Sequence, residues 1–185
     1  VIAVGPYQLR DYQERAYNTI RAEFARHDWV LAVAPTGSGK TVLASAIMDA
    51  ARDKGRRVAF IVSGRQLVLQ AANKLSECGV DHAVMMSGER YWPSRVTVAS
   101  KDTYASWVLG KESASELKPD LWFVDEADTQ FGGVGAGAHE TERRLTGKIQ
   151  AMMSDPKLRG KVVWLLMTAR IERLSPDIRR PGRVG

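Results

Sequence analysis

Two rhythms of apolar residues alternate along the chain. Short unbroken runs rich in β-branched and aromatic residues come first: Trp29-Val30-Leu31-Ala32-Val33, extending to position 34, then Val58-Ala59-Phe60-Ile61-Val62. His82-Ala83-Val84-Met85-Met86, Val96-Thr97-Val98-Ala99, Leu121-Trp122-Phe123-Val124 and Val162-Val163-Trp164-Leu165-Leu166-Met167 continue the series. Runs of this length and composition predict strands buried on both faces. Between them the spacing becomes helical. Ala16, Ile20 and Phe24 stack on one face of a helix expected over 9–26, and further helices are expected over 42–53, 66–77, 103–108 and 139–153. Gly5-Pro6 ends an apolar lead-in, Lys54-Gly55-Arg56 and Gly79 stop helices, and the glycines from 132 to 137 mark a loop. Strand and helix alternating in this way predict an α/β domain: a mostly parallel sheet with helices on both faces. No internal repeat is present.

Composition narrows this picture. At 185 residues the chain is long enough for one sizeable core with a short appendage. The net charge of +6 leans toward a polyanionic partner, although a bound nucleotide also asks for positive charge. Cys78 is the single cysteine, which excludes an internal disulfide and any multi-cysteine metal site. A reducing, intracellular setting is therefore expected, cytoplasmic or nucleoid/nuclear. No apolar stretch approaches a membrane span, so no membrane partner is expected. His27, His82 and His139 lack ligand spacing, and Lys54, Arg56 and Arg57 read as a solvated turn. Most of the tryptophans fall in strands or helices and read as core; Trp92, between Tyr91 and Pro93 in a loop, is the candidate for stacking.

The chemistry concentrates in Ala34-Pro35-Thr36-Gly37-Ser38-Gly39-Lys40-Thr41. A β-prone run precedes these residues and a helix former follows them, the context of a phosphate-binding loop. Gly37 and Gly39 let successive N–H groups turn toward one anion, and the helix N-terminus adds its positive end. Lys40 is placed to reach β- and γ-phosphates, and the Thr41 hydroxyl to ligate Mg²⁺. The opening residue is Ala34 where this pattern usually has glycine. Asp125 and Glu126 close a buried strand and are expected to face the loop across the crevice at the strands' carboxyl ends. Phosphoryl transfer to water needs a carboxylate for Mg²⁺, suited to Asp125, and a group that orients the attacking water, suited to Glu126.

These motifs fall in the order seen in superfamily 2 helicases and translocases, and the chain resembles their first RecA-like domain over nearly its whole length. Leu9-Arg10-Asp11-Tyr12-Gln13 resembles the leading motif, which implies Gln13, with Arg10 or Tyr7, at adenine. Residues 34 to 41 match the family's first motif, where an opening alanine is common. Ser63-Gly64-Arg65-Gln66-Leu67-Val68-Leu69-Gln70 is similar to the next motif, without its usual Pro and Glu, and implies backbone contacts from Arg65 and Gln70 to DNA or RNA. Thr97-Val98-Ala99-Ser100 stands where a strand end also meets the nucleic acid, implying a role for Ser100. Asp125-Glu126-Ala127-Asp128 spells the DEAD tetrad. Met167-Thr168-Ala169 resembles the Ser/Thr-Ala-Thr motif, with Arg170 replacing its last Thr, and implies that Thr168 and Asp128 couple hydrolysis to movement.

The resemblance implies an ATP- and Mg²⁺-dependent motor domain over 1–170, with 171–185 a basic tail or the start of a linker. Such motors need a second RecA-like domain, in cis or in trans, so the chain alone is expected to turn over slowly. Opening on Val1-Ile2 without Met, it reads as a fragment of something longer. Two alternatives stay open. Leu174-Ser175-Pro176-Asp177-Ile178-Arg179-Arg180-Pro181-Gly182-Arg183 resembles the AAA segment whose arginines reach a neighbouring subunit's nucleotide, which implies a ring ATPase with Thr168 as polar sensor. The other is an ATP-dependent nucleic-acid-binding module that does not unwind.

Overall fold

The computed structural model describes residues 1–106, 118–125, 127, 147 and 150–174. The chain opens with a hairpin, β1 (Ala3–Val4) against β2 (Tyr7–Gln8). It continues through α1 (Asp11–Phe24), β3 (Trp29–Val33), α2 (Lys40–Asp53), β4 (Val58–Val62) and α3 (Arg65–Glu77). Then follow β5 (Ala83–Met85), β6 (Val96–Ser100), α4 (Lys101–Tyr104), β7 (Leu121–Val124) and β8 (Val163–Thr168). Residues 147 and 150–153 are helical; the remainder of the helix expected over 139–153, the glycine loop and the arginine tail lie outside the described residues.

Strands β3 to β8 form one six-stranded sheet in the order β3-β8-β7-β4-β6-β5, with every pairing parallel. Side chains alternate between its faces with the period of two that a strand imposes. Val30, Phe60, Val98, Phe123 and Leu165 belong to the core under α1, α2 and α3. Ile61, Ala99, Trp122, Val124, Trp164 and Leu166 point the other way, toward Tyr104, Met153 and Leu174. The sheet is thus covered on both faces, as its unbroken apolar strands predict. On the second face the register sets Trp29 beside Trp164 and Trp164 beside Trp122. The rings stack at 5.2 and 4.6 Å, and Tyr104 meets Trp122 edge-on at 4.9 Å. This row pins three neighbouring strands together.

The opening hairpin departs from the expected plain lead-in. Two-residue strands are too short to leave a periodic signature, and a tertiary contact specifies them instead. Gly5 adopts φ +53°, and a Cβ there would lie 2.6 Å from the Cys78 backbone, so only glycine lets the turn seat on the end of α3. The Tyr7 hydroxyl donates to Glu77 at 2.8 Å, and the Lys74 ammonium lies 4.9 Å from the Tyr7 ring centre. The helix expected from Thr103 begins two residues earlier, at Lys101, where Ser100 caps it.

Candidate functional site

Because all six strands run parallel, their carboxyl ends share one edge of the sheet. The loop after β3, Ser63 after β4, Ser100 at the end of β6, Asp125 after β7 and Thr168 at the end of β8 all lie there. Strand β8 separates β3 from β7, which puts the loop and Asp125 about two strand spacings apart, roughly 10 Å. The order also reverses here: β4 lies three places from β3, and the chain later returns to fill the gap with β7 and β8. That is where open parallel sheets form a ligand crevice.

The loop from Ala34 to Gly39 is fixed at both ends. The Ala34 N–H donates to the Thr168 carbonyl at 2.9 Å, and the Ser38 N–H donates to the Pro35 carbonyl at 3.2 Å. Gly37 (φ +81°) and Gly39 (φ +74°) take left-handed backbone conformations that side chains resist. Gly39 caps α2 with no side-chain hydrogen bond, and no acidic residue occupies the first turn. The Val42 N–H closes onto the Gly39 carbonyl at 3.0 Å, while Lys40 and Thr41 open the helix with N–H groups that have no intrahelical acceptor. The result is a helix N-terminus that no side chain caps among the described residues, with its positive end toward the crevice. The Ser38 hydroxyl is buried and has no hydrogen-bond partner among the described residues. Lys40 folds back over the loop, its ammonium 3.3 Å from both the Ala34 and Pro35 carbonyls. Pro35, Thr36 and Gly37 are exposed, and a Cβ at Gly37 would meet nothing within 4 Å, so the outer side of the loop is open. An uncapped helix N-terminus, a lysine beside it and a buried hydroxyl with no partner among the described residues together fit a polyphosphate.

Thr41 and Asp125 line one cavity of about 210 Å³. They are the hydroxyl and the carboxylate expected to hold Mg²⁺, an oxygen donor set suited to that ion. Asp125 is oriented through its backbone, whose N–H donates to the Ile61 carbonyl at 3.2 Å. Glu126 and Asp128 lie outside the described residues. Thr168 is fully buried; its hydroxyl accepts from the Arg170 N–H at 3.0 Å, and its carbonyl holds Ala34. It therefore touches the phosphate loop directly.

Gln13 is only 5% exposed, and its amide is heavily committed. Its carbonyl oxygen accepts from the Arg10 N–H at 2.9 Å, and its NH₂ donates to the Ser38 and Gly39 carbonyls at 3.1 and 3.2 Å. Both amide hydrogens are used, so one lone pair is all that Gln13 has left to offer a base. The Arg10 side chain is exposed and reaches the Tyr12 hydroxyl at 3.4 Å; that hydroxyl donates to the Ser38 carbonyl at 2.9 Å. Two α1 side chains thus grip one loop carbonyl. Tyr12 was missed in sequence, where only its place beside Gln13 pointed to it.

The residues expected at nucleic acid separate in space. Gln70 lines the same cavity as Thr41 and Asp125, and Ser63 and Lys74 join it there. Gln70 and Lys74 are four residues apart on α3, a spacing that could have drawn attention to Lys74. The Lys74 ammonium donates to Glu77 and to the Tyr7 hydroxyl, and those bonds raise its pKa above the ordinary lysine value. Arg65 points elsewhere, donating to the Ser87 carbonyl at 3.1 Å and to Glu89 at 2.8 Å. The Ser100 hydroxyl is taken by its cap, accepting from the Thr103 N–H at 3.3 Å and donating to the Thr103 hydroxyl at 2.8 Å.

Comparison with known proteins places this arrangement. Its fold is shared with the type ISP restriction-modification enzyme LlaGI, solved with a DNA substrate mimic (TM-score 0.63, 16% identity, 89% of this chain and 18% of that one). It is shared also with the Sulfolobus solfataricus SWI2/SNF2 ATPase core, solved with double-stranded DNA (TM-score 0.65, 12% identity, 92% and 34%). Among curated proteins, the cell division cycle protein 48 homolog of Archaeoglobus fulgidus is 35% identical over 72 residues, 39% of this chain and 10% of that protein. A proteasome-associated ATPase of Streptosporangium roseum is 24% identical over 184 residues, 96% of this chain and 28% of that protein. The chain therefore spans between a tenth and rather more than a quarter of these two curated relatives. The likeness to ATPases of the AAA type is secondary, since it is 23–24% identical where it is long and confined to 72 residues where it reaches 35%. With residues 6–153 matching, the chain belongs to the family described as type III restriction enzyme, res subunit, a superfamily 2 helicase-family domain with a RecA-like fold.

Proposed function

We propose that this chain is the ATP-binding and ATP-hydrolysing half of a nucleic-acid motor that acts on DNA or RNA inside the cell. One observation carries the reading: Lys40 and Thr41 open α2 at an uncapped, glycine-shaped loop, and Thr41 shares a cavity with Asp125. In this reading the loop from Pro35 to Gly39 and the first N–H groups of α2 bind the phosphates. Lys40 balances charge on the γ-phosphoryl. Thr41 and Asp125 hold Mg²⁺, which supplies electrostatic stabilisation of the transferring group. Glu126 is the general base. Gln13, Arg10 and Tyr12 set the loop's shape from the nucleotide side. Arg65, with Gln70 and Ser100 at separate places along the same edge of the sheet, is assigned to nucleic-acid contact, and Thr168 and Asp128 to relaying the state of the nucleotide. Residues 1–170 form the motor domain and 171–185 lead out of it.

A second RecA-like domain, in cis or in trans, completes the site. Arginine fingers of the kind such a domain supplies are worth roughly 10³–10⁵ in rate, so this chain alone hydrolyses ATP slowly. Phosphate release measured with and without single-stranded DNA and RNA tests the proposal. Slow turnover that is lost in Glu126→Gln supports it. Brisk turnover by the isolated monomer refutes the need for a second domain. Similarity to an AAA ATPase of Corynebacterium glutamicum described as forming ring-shaped complexes (23% identity over 156 residues) favours a ring subunit as the second reading. That reading predicts ATP-dependent oligomers abolished by Arg180→Ala or Arg183→Ala.

A further inference from the structure

Trp92 stands outside every contact described so far. Its side chain is 63% exposed, on the segment that carries the chain from the end of β5 back to the start of β6. The Arg90 guanidinium covers one face of the indole, 4.3 Å from the ring centre. Arg90 makes no ion pair among the described residues. Beside this pair runs an open groove of about 290 Å³, floored by Val84 and Met86 and bordered by Leu69, itself 43% exposed. Glu89 also lines the groove and links it to the candidate strand contact at Arg65. The Arg65 guanidinium holds the Ser87 carbonyl and Glu89, in the same turn that leads to Arg90 and Trp92. An exposed indole, stacked on one face by a cation and reached along a turn that a second arginine holds, matches a base-stacking platform beside a backbone track. An apolar protein anchor would fill the groove but leave the Arg90 guanidinium without an anionic partner.

We infer that Trp92 stacks an unpaired base of a single-stranded nucleic acid whose phosphates pass Arg65 and Arg90. The track then leaves the carboxyl edge of the sheet and turns along the β5 side. This inference rests on the nucleic-acid reading proposed above and goes beyond it by naming where a base is held. Sequence alone marked Trp92 only by its loop position.

Fluorescence anisotropy with a labelled oligothymidylate strand, and with an abasic strand of equal length, tests the inference on wild type, Trp92→Ala, Trp92→Phe and Arg65→Ala. Trp92→Ala weakens binding of the base-bearing strand roughly 5- to 150-fold, while Trp92→Phe stays within about fivefold of wild type. On the abasic strand Trp92→Ala equals wild type. Arg65→Ala weakens both strands alike and flattens the dependence on salt. Unchanged circular dichroism and nucleotide binding in Trp92→Ala establish that the exposed site was altered without unfolding. If wild type binds the strand and Trp92→Ala binds it equally well, or loses as much on the abasic strand, stacking is refuted and the motor reading stands. If wild type binds neither strand, the nucleic-acid reading itself fails and the inference falls with it.

Discussion

Replacing Gln13 by Ala separates two roles that one side chain can play. The family resemblance implies adenine recognition, whereas the structure commits both amide hydrogens to the Ser38 and Gly39 carbonyls and the amide oxygen to the Arg10 N–H. Each such bond is worth about 0.5–1.5 kcal/mol net. The low end applies, because the substitution orphans neither carbonyl. Ser38 still accepts from Tyr12 at 2.9 Å, and Gly39 from the Val42 N–H at 3.0 Å. Three bonds at that end give about 1.5 kcal/mol, a drop in Tm of roughly 3–6 °C for a domain of this size. A brace also loosens the loop for any triphosphate, so ATP and GTP lose affinity by the same factor. Thermal melting followed by circular dichroism, with titration of fluorescent ATP and GTP analogues, reads both quantities. The reasoning is refuted if Tm does not move, or if ATP affinity falls while GTP affinity does not. Gly39→Ala supplies a cross-check, because its Cβ would lie 2.5 Å from the Gln13 amide nitrogen. Part of its cost vanishes in the Gln13→Ala background; the strain of φ +74° remains in both.

Three further outcomes follow from the packing. Gly5→Ala forces a Cβ into the Cys78 backbone at a left-handed φ, and destabilises the domain by about 1–3 kcal/mol in urea denaturation, with nucleotide affinity unchanged. Trp164→Ala removes the middle ring of the stacked row at a site 1% exposed, and costs about 3–5 kcal/mol by the same assay; a loss below about 1 kcal/mol would mean that the row carries no packing energy. Burial pushes the Cys78 thiol above its ordinary value of 9.0, against a weaker lowering by the Ser45 hydroxyl. The native thiol thus stays neutral at pH 8 and reacts with a disulfide reagent far more slowly than the unfolded chain, and its stabilising preference fades as pH rises through the folded value.

The strands were legible because burial on both faces left unbroken apolar runs: β4 and β7 lie where Val58–Val62 and Leu121–Val124 predict them. Strand order was not legible. Nothing local in Trp29 or Trp122 says that β8 lies between them, since that order comes from which crossovers pack. The hairpin escaped notice because it is specified by one backbone contact at Gly5 rather than by a pattern. At the site, the loop from Ala34 to Thr41 and Asp125 could be expected at one edge of the sheet because each follows a parallel strand, and Thr41 and Asp125 do line one cavity. Gln70 could be placed on α3 but not beside Thr41, because that contact depends on how α3 lies over the sheet. The Tyr12 hydroxyl and the Lys74 ammonium sit on helix faces that look merely solvated in sequence. Only the fold turns Tyr12 onto the loop and sets Lys74 along the cavity wall.

Calorimetric titration of Mg·ATP into the chain, alongside Lys40→Ala and Asp125→Asn, tests the central claim most directly. The account predicts Mg²⁺-dependent binding by wild type and none by Lys40→Ala. For Asp125→Asn it predicts binding that no longer responds to Mg²⁺. Absence of binding by the wild-type chain, or equal affinity in Lys40→Ala, would contradict it.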